Sequence, residues 1–271
     1  MSDPFPQLFG FVLFDGLDGW HILLLAAVYF FSYFIKGAIG VGNLALMVLL
    51  GALILQPHHA VVLAVTVTCF AQLQFMREGA RHADWTIAKS VILGTYIGMA
   101  IGVWIFTKLD GTWLTFSLGS ILGLLIIADM TRGLAFVINK LNLRSKIALY
   151  PTMICFGLIS GVGGAGTLSG IAFYIKQISP DARILRGTII MLGIIFALWR
   201  ITLLTIAGLM KWNIVIEAII LIPFMLVFGY FGAKFFNQLS DKRYHQYLQF
   251  MLLGISVILV AKGLIGIFSG S

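Results

Sequence analysis

Ten apolar runs, separated by gaps of only a few polar residues, fill this chain from residue 19 to residue 268. They span roughly 19–35, 43–55, 60–76, 86–107 and 113–137, then 146–159, 167–178, 184–209, 214–236 and 246–268. A helix needs about 20 apolar residues, range roughly 17–25, to cross the hydrocarbon of a bilayer. The runs 43–55, 146–159 and 167–178 are short for that, and the others are long enough. Hydrophobic residues make up 60% of the chain and charged residues 10%. About 25% charged is usual for a soluble domain, so lipid is the solvent this composition fits. Within lipid the backbone must satisfy its own hydrogen bonds, which these runs do as helices. The expected fold class is an all-α integral membrane protein.

Two glycine-rich breaks organise the runs. One is Lys36-Gly37-Ala38-Ile39-Gly40-Val41-Gly42-Asn43, the other Ser160-Gly161-Val162-Gly163-Gly164-Ala165-Gly166-Thr167. Setting Gly37 on Gly161 also sets Gly40 on Gly164, Gly42 on Gly166 and Asn43 on Thr167. Each break is followed by a short run and a proline turn, at Pro57 and Pro180. This is an internal repeat of two five-segment halves: a lead at 1–18, a first repeat at 19–137, a connecting loop at 138–145 and a second repeat at 146–268. The lead carries Asp3, Asp15 and Asp18 and no basic stretch, so it reads as an interfacial or disordered segment rather than a cleaved signal.

An odd number of segments per half inverts the second half relative to the first. With the N-terminus outside, 14 of the 18 Lys and Arg fall on the inner side, and Lys108, Lys211 and Lys262 fall on the outer side. Arg200 lies inside a run. The positive-inside rule favours this inverted arrangement. Each short pair either crosses twice or dips in and returns, since both leave the chain on the same side. The net charge of +8 follows from these topology residues and is no nucleic-acid face.

Glycine-broken short segments at matching places of two inverted halves point to a transporter's binding site. Glycine lets backbone approach a ligand. A helix starting just after the break aims free N–H groups and the positive end of its dipole at an anion. Gly40, Gly42, Gly164 and Gly166 are the candidate backbone positions, with Asn43 and Thr167 where a capping residue would sit. The competing reading is close helix packing by small residues. Lys36 is either a charge beside the anion or a topology lysine snorkelling to water. Arg200, about 14 Å from the outer end of its run, is costly in lipid and so a site candidate; the alternative is a structural pairing with a carbonyl or with Glu217. Gln72 and Gln74 point about 200° apart on a helix, so one of them at most lines a path, and Gln72 is the candidate.

The remaining polar residues read more plainly. Thr66 and Thr68 are expected to bond within their own helix. Trp199 is expected to pack or to anchor at the membrane interface, and Cys69 and Cys155 to be small buried residues. Asp129 and Glu217 lie toward segment ends and are not read as a central relay. His58, His59 and His82 fall in expected exposed loops, and Arg77, Arg81 and Lys89 in a solvated inner loop. No metal-ligand spacing, nucleotide loop, Ser/His/Asp set or paired carboxylates stands in the sequence, so neither a cofactor nor an enzymatic activity is expected.

Lys36-Gly37 through Asn43, then Pro57-His58-His59-Ala60 and Arg81-His82-Ala83-Asp84-Trp85, resembles the first half of the TauE/SafE family of membrane transporters. Gly157-Leu158-Ile159-Ser160-Gly161 through Gly166, then Pro180 and Arg186-Gly187-Thr188, resembles its second repeat. The likeness runs over most of residues 20–268. It implies export or uptake of sulfite, sulfonates such as sulfoacetate, or other small organic anions in a bacterial inner membrane. Asn43 stands where many relatives have another small residue, and Gly166-Thr167-Leu168 replaces a frequent proline-containing stretch.

The leading reading is a secondary transporter; an anion channel using the same glycine tips, or a membrane-embedded enzyme or subunit, are the alternatives. The expected partners are a small anionic substrate and the lipid bilayer, with a homodimer compatible and no nucleic acid.

Overall fold

A computed structural model describes residues 13–131, less 40–42, then 133, 136, 140, 141, 143, 145–164, 167–179, 181–236 and 242–269, with backbone alone at 15, 37–39, 43, 78, 167, 169, 182, 233, 235–236 and 242–248. These residues form eleven α-helices and no strand. In chain order they are α1 (Gly19–Ile39), α2 (Asn43–Ile54), α3 (Pro57–Gln72), α4 (Met76–His82), α5 (Trp85–Lys108), α6 (Gly111–Met130), α7 (Lys146–Gly163), α8 (Thr167–Ile178), α9 (Ala182–Ile206), α10 (Trp212–Phe236) and α11 (Lys242–Ser269). Eight of the helical stretches are long and apolar enough to cross a membrane; α2 and α8, at 12 residues each, are not. The chain is an all-α, multi-pass membrane protein.

Three of the ten acidic residues start helices. Asp84 accepts from the amides of Thr86 and Ile87, Asp110 from Trp113, and Asp181 from Arg183. Each satisfies N–H groups that a helix start leaves without a partner. Pro57 opens α3, where its missing N–H costs nothing.

Close contacts fix how the long helices run. Gly94 lies against Tyr150 and Met153, Gly98 against Ile154, and Gly102 against Leu158 and Gly161. The numbers rise together, so α5 and α7 are parallel, with backbones nearly touching. The same holds for α1 and α10: Phe30 packs on Phe224 and Phe228, Tyr33 on Gly229, Phe34 on Gly232. By contrast α6 and α11 are antiparallel, matching Thr112 with Gly266, Phe116 with Gly263, Gly123 with Ser256 and Asp129 with Gln249. Along α9, Gly193 faces Gln72, Ile190 faces Gly79 and Gly187 faces His82, so α9 opposes α3 and α4. With the short α4 counted together with α3, the first helix of each half thus packs on the fourth of the other, the third on the third and the fifth on the fifth.

The helix boundaries differ from expectation at the breaks. The helix expected to stop near Ile159 continues to Gly163 as the 18-residue α7, long enough to cross. Gly161 stays helical because it is packed against the backbone of Gly102, where a side chain has no room. Gly164 makes the break: its φ of +82° is the left-handed conformation that suits glycine, and its N–H returns to the Ser160 carbonyl at 2.8 Å. Likewise α1 runs past Lys36 to Ile39. The ends Ile54 and Ile178 are 124 positions apart, the offset that aligned the two glycine motifs.

Two other expectations are corrected. Residues 76–82, expected as a loop, form α4, although Arg77 and Arg81 remain exposed. The end of the lead is packed rather than interfacial: Leu13 and Phe14 are buried around a short 3-10 turn at Phe14–Gly16.

Candidate functional site

Arg200 sits on α9 six residues before its end and is 2% exposed. Its guanidinium donates to two carbonyls in the last turn of α7, from Nη1 to Ser160 and from Nη2 to Gly161 at 3.0 Å. Those carbonyls carry the negative end of the α7 dipole, so a cation is favourable there. A Cβ on Gly164 would lie 3.0 Å from Nη1 and 3.6 Å from Val48 of α2. The second break therefore rests between Arg200 and the middle of the first short helix. Nε of Arg200 is buried with no partner among the described residues. Of the two structural pairings open to Arg200, the carbonyl one is present and the Glu217 one is absent.

Lys36 ends in a buried ammonium with no hydrogen-bond partner among the described residues. It lies 5.0 Å from the centre of the Tyr33 ring and 5.9 Å from that of Phe75. Aromatic faces attract a cation but do not neutralise it. Gln72, one helical turn before Phe75, is turned toward α9: its Oε1 is 2.8 Å from where a Cβ of Gly193 would be. Leu168, in the first turn of α8, lies against the same spot. Gly193 is near the middle of the 25-residue α9, so the start of α8 and the Gln72 amide meet at mid-depth. Gln74 is exposed.

The structure therefore brings together Arg200 with Gly164, and Gln72 with the first turn of α8. Lys36 lies 5.9 Å from the centre of the Phe75 ring, three residues after Gln72. Gly40, Gly42 and Gly166 lie outside the described residues, as do the side chains of Asn43 and Thr167; α2 and α8 begin at those last two positions.

Several polar residues have more defined roles than their sequence positions suggested. His59 is buried in the first turn of α3, with Nε2 2.6 Å from Oε2 of Glu217, which is fully buried. The other Glu217 oxygen accepts the Phe14 N–H at 2.6 Å. The His58 ring bonds the Phe106 carbonyl at 3.1 Å. Neither histidine is an exposed loop residue, because Pro57 starts the helix before them. Thr66 bonds the Val62 carbonyl of its own helix at 2.8 Å, whereas Thr68 is turned to Tyr33 of α1. Trp199 packs on Tyr96, rings 4.6 Å apart and nearly parallel, and its Nε1 donates to the Tyr96 carbonyl. Cys69 is buried, whereas Cys155 is exposed on the outside of α7.

The family profile described as Sulfite exporter TauE/SafE matches residues 25–262, nearly the whole chain. The chain belongs to the TauE/SafE family. Comparison with curated proteins and with solved structures gave no match. Membership makes this a membrane transporter of the sulfite exporter type, and the matched region includes both breaks, Lys36, Gln72 and Arg200. What sequence reasoning missed in this TauE/SafE chain is Gly193, His59 and Glu217. Glu217 had a usable signal, an acid five residues into a 25-residue apolar helix. Gly193 had none, because only its facing Gln72 gives it meaning.

Proposed function

We propose that this protein is a secondary transporter that carries a small anion, sulfite or an organosulfonate such as sulfoacetate, across a bacterial inner membrane. One observation carries the reading. Lys36 and Arg200 are buried cations with no carboxylate partner among the described residues, while the one fully buried carboxylate, Glu217, is paired with His59 instead. An uncompensated buried charge costs several kcal/mol. An anionic cargo supplies the missing countercharge while it is bound.

The anion binds near mid-depth at the two breaks, with Lys36, Gln72, Arg200 and backbone N–H groups beside Gly40, Gly42, Asn43, Gly164, Gly166 and Thr167 as its donors. Two short helices that follow the glycine motifs and end 124 positions apart support this, because a helix start offers free N–H groups and about half a positive charge. Donors of this kind replace part of the anion's water shell. The halves, 19–137 and 146–268, are inverted repeats with both termini outside. The senses of the helix pairs support that: α9 opposes its counterpart α3, and α11 opposes its counterpart α6. Movement of one half against the other then exposes the site alternately.

The test is counterflow of labelled sulfite and sulfoacetate in liposomes containing the purified protein. Saturable exchange, stimulated by unlabelled anion on the opposite side, is the expected result. Flux that neither saturates nor exchanges overturns the carrier reading in favour of a channel.

A further inference from the structure

Two buried features extend beyond the anion site just described, the second of them starting at its Lys36. The first is the Glu217–His59 pair. Glu217 belongs to α10, in the second half, and His59 to α3, in the first, so the 2.6 Å bond joins the two halves. From α1, Tyr29 lies within electrostatic reach of Glu217, and the Phe14 N–H caps its other oxygen. The other described charged residue of α10 is Lys234, 17 residues further along, and the neighbouring His58 is turned to Phe106 of α5. The second feature is a stripe along one face of α1, at a seam with Thr68 of α3. Tyr29, Tyr33 and Lys36 repeat at the spacing of one helix face. Tyr29 and Lys36 end in buried polar atoms that have no hydrogen-bond partner among the described residues, and between them the Tyr33 hydroxyl meets that of Thr68. Packing alone gives no reason for four buried polar groups in line, two of them unpaired, since each buried polar group left unpaired costs on the order of 1–3 kcal/mol. Bridging waters satisfy such groups where the cavity is polar.

We propose that the Glu217–His59 pair is a proton-binding site and that the Tyr29–Tyr33–Thr68–Lys36 stripe is its hydrated route to the anion site, so that protons couple to anion transport. This rests on the transport reading above. With one proton, shared as carboxylic acid and neutral imidazole or as carboxylate and imidazolium, the pair is net neutral and tolerates a dry interface. A second proton makes it net positive, and loss of the first makes it net negative. Burial disfavours both. The closed contact between the halves therefore holds one proton, and separating the halves lets that proton exchange with water. The proton moves between the pair and water along the seam, and no other bond changes.

The full-length protein is reconstituted in phosphatidylethanolamine–phosphatidylglycerol vesicles with pyranine inside. Valinomycin and equal potassium hold the voltage at zero. The probe is labelled sulfoacetate, whose two acid groups stay ionised near neutral pH. Addition of sulfoacetate to the wild-type vesicles shifts internal pH, and an imposed pH gradient concentrates the label. In Glu217→Gln and His59→Gln, gradient-driven accumulation falls at least tenfold while counterflow stays within about twofold. Wild-type counterflow with no pyranine signal overturns the coupling and leaves the transport reading standing, whether or not the variants fold. Full gradient-driven accumulation in Glu217→Gln also overturns it. Absence of counterflow in the wild type overturns both.

Discussion

Arg200 and Gly161 are joined across two helices: Nη2 of the arginine, on α9, donates to the glycine carbonyl, in the last turn of α7, at 3.0 Å. The bond places a permanent cation at the end of a helix, one turn before the break at Gly164. Structure and function thus make different demands on one side chain. Arg200→Lys keeps the charge but loses the forked geometry that reaches two carbonyls. We expect it to retain anion binding at reduced affinity, and Arg200→Leu to lose affinity at least tenfold, as read by calorimetry on detergent-purified protein. Both should fold, because removing a buried charge offsets part of the loss of its two hydrogen bonds, each about 1.5–3 kcal/mol. Unchanged affinity in Arg200→Leu removes it from the site.

The breaks themselves are tested by bulk. Gly164 has a positive φ and no room beside Arg200, so Gly164→Val should abolish binding. Gly42→Val and Gly166→Val should do the same by keeping backbone from the ligand. Asn43→Ala and Thr167→Ala should be milder, since the neighbouring N–H groups remain. If the valine variants at 42 and 166 bind as tightly as the parent, those glycines serve packing alone.

Gln72 and Gly193 should act as a unit. A methyl on Gly193 meets the Gln72 amide, so Gly193→Ala displaces the side chain that Gln72→Leu removes. Each change is expected to weaken binding several-fold. The double variant should be no weaker than the worse single one, because residues in contact do not add. Additive losses in a double-mutant cycle would show that the two act separately.

Stability should follow the glycine contacts. A Cβ on Gly98 falls on the Ile154 backbone, whereas one on Gly254 meets nothing within 4 Å. Gly98→Val should lower the melting temperature in detergent sharply, corresponding to about 1–3 kcal/mol or more. Gly254→Ala should be neutral, or stabilising by roughly 0.5–1 kcal/mol as expected for a helix interior. Equal melting of the two variants would contradict the close approach of α5 and α7.

Sidedness is read by labelling. With Cys155 replaced, since it is exposed, single cysteines at Arg81 and Arg243 should resist an impermeant maleimide added to intact cells, and one at Lys211 should react. Ready labelling at 81 and 243 inverts the topology.

The membrane class and the neighbourhood of the second break are properties of local composition. Apolar length, glycine clusters and prolines act within a few residues, so they are legible along the chain, down to the 124-residue offset that the helix ends Ile54 and Ile178 keep. Partnerships are of another kind. Arg200 found carbonyls 39 and 40 residues away, His59 found Glu217 158 residues away, and Gln72 found a glycine on α9. In lipid the apolar faces of helices look alike to hydropathy. Which faces meet is decided by shape, where glycines let backbones close and where a buried polar group must find its partner. Only the tertiary structure brings those residues together, and so it alone turned a loop histidine and a segment-end acid into one buried pair.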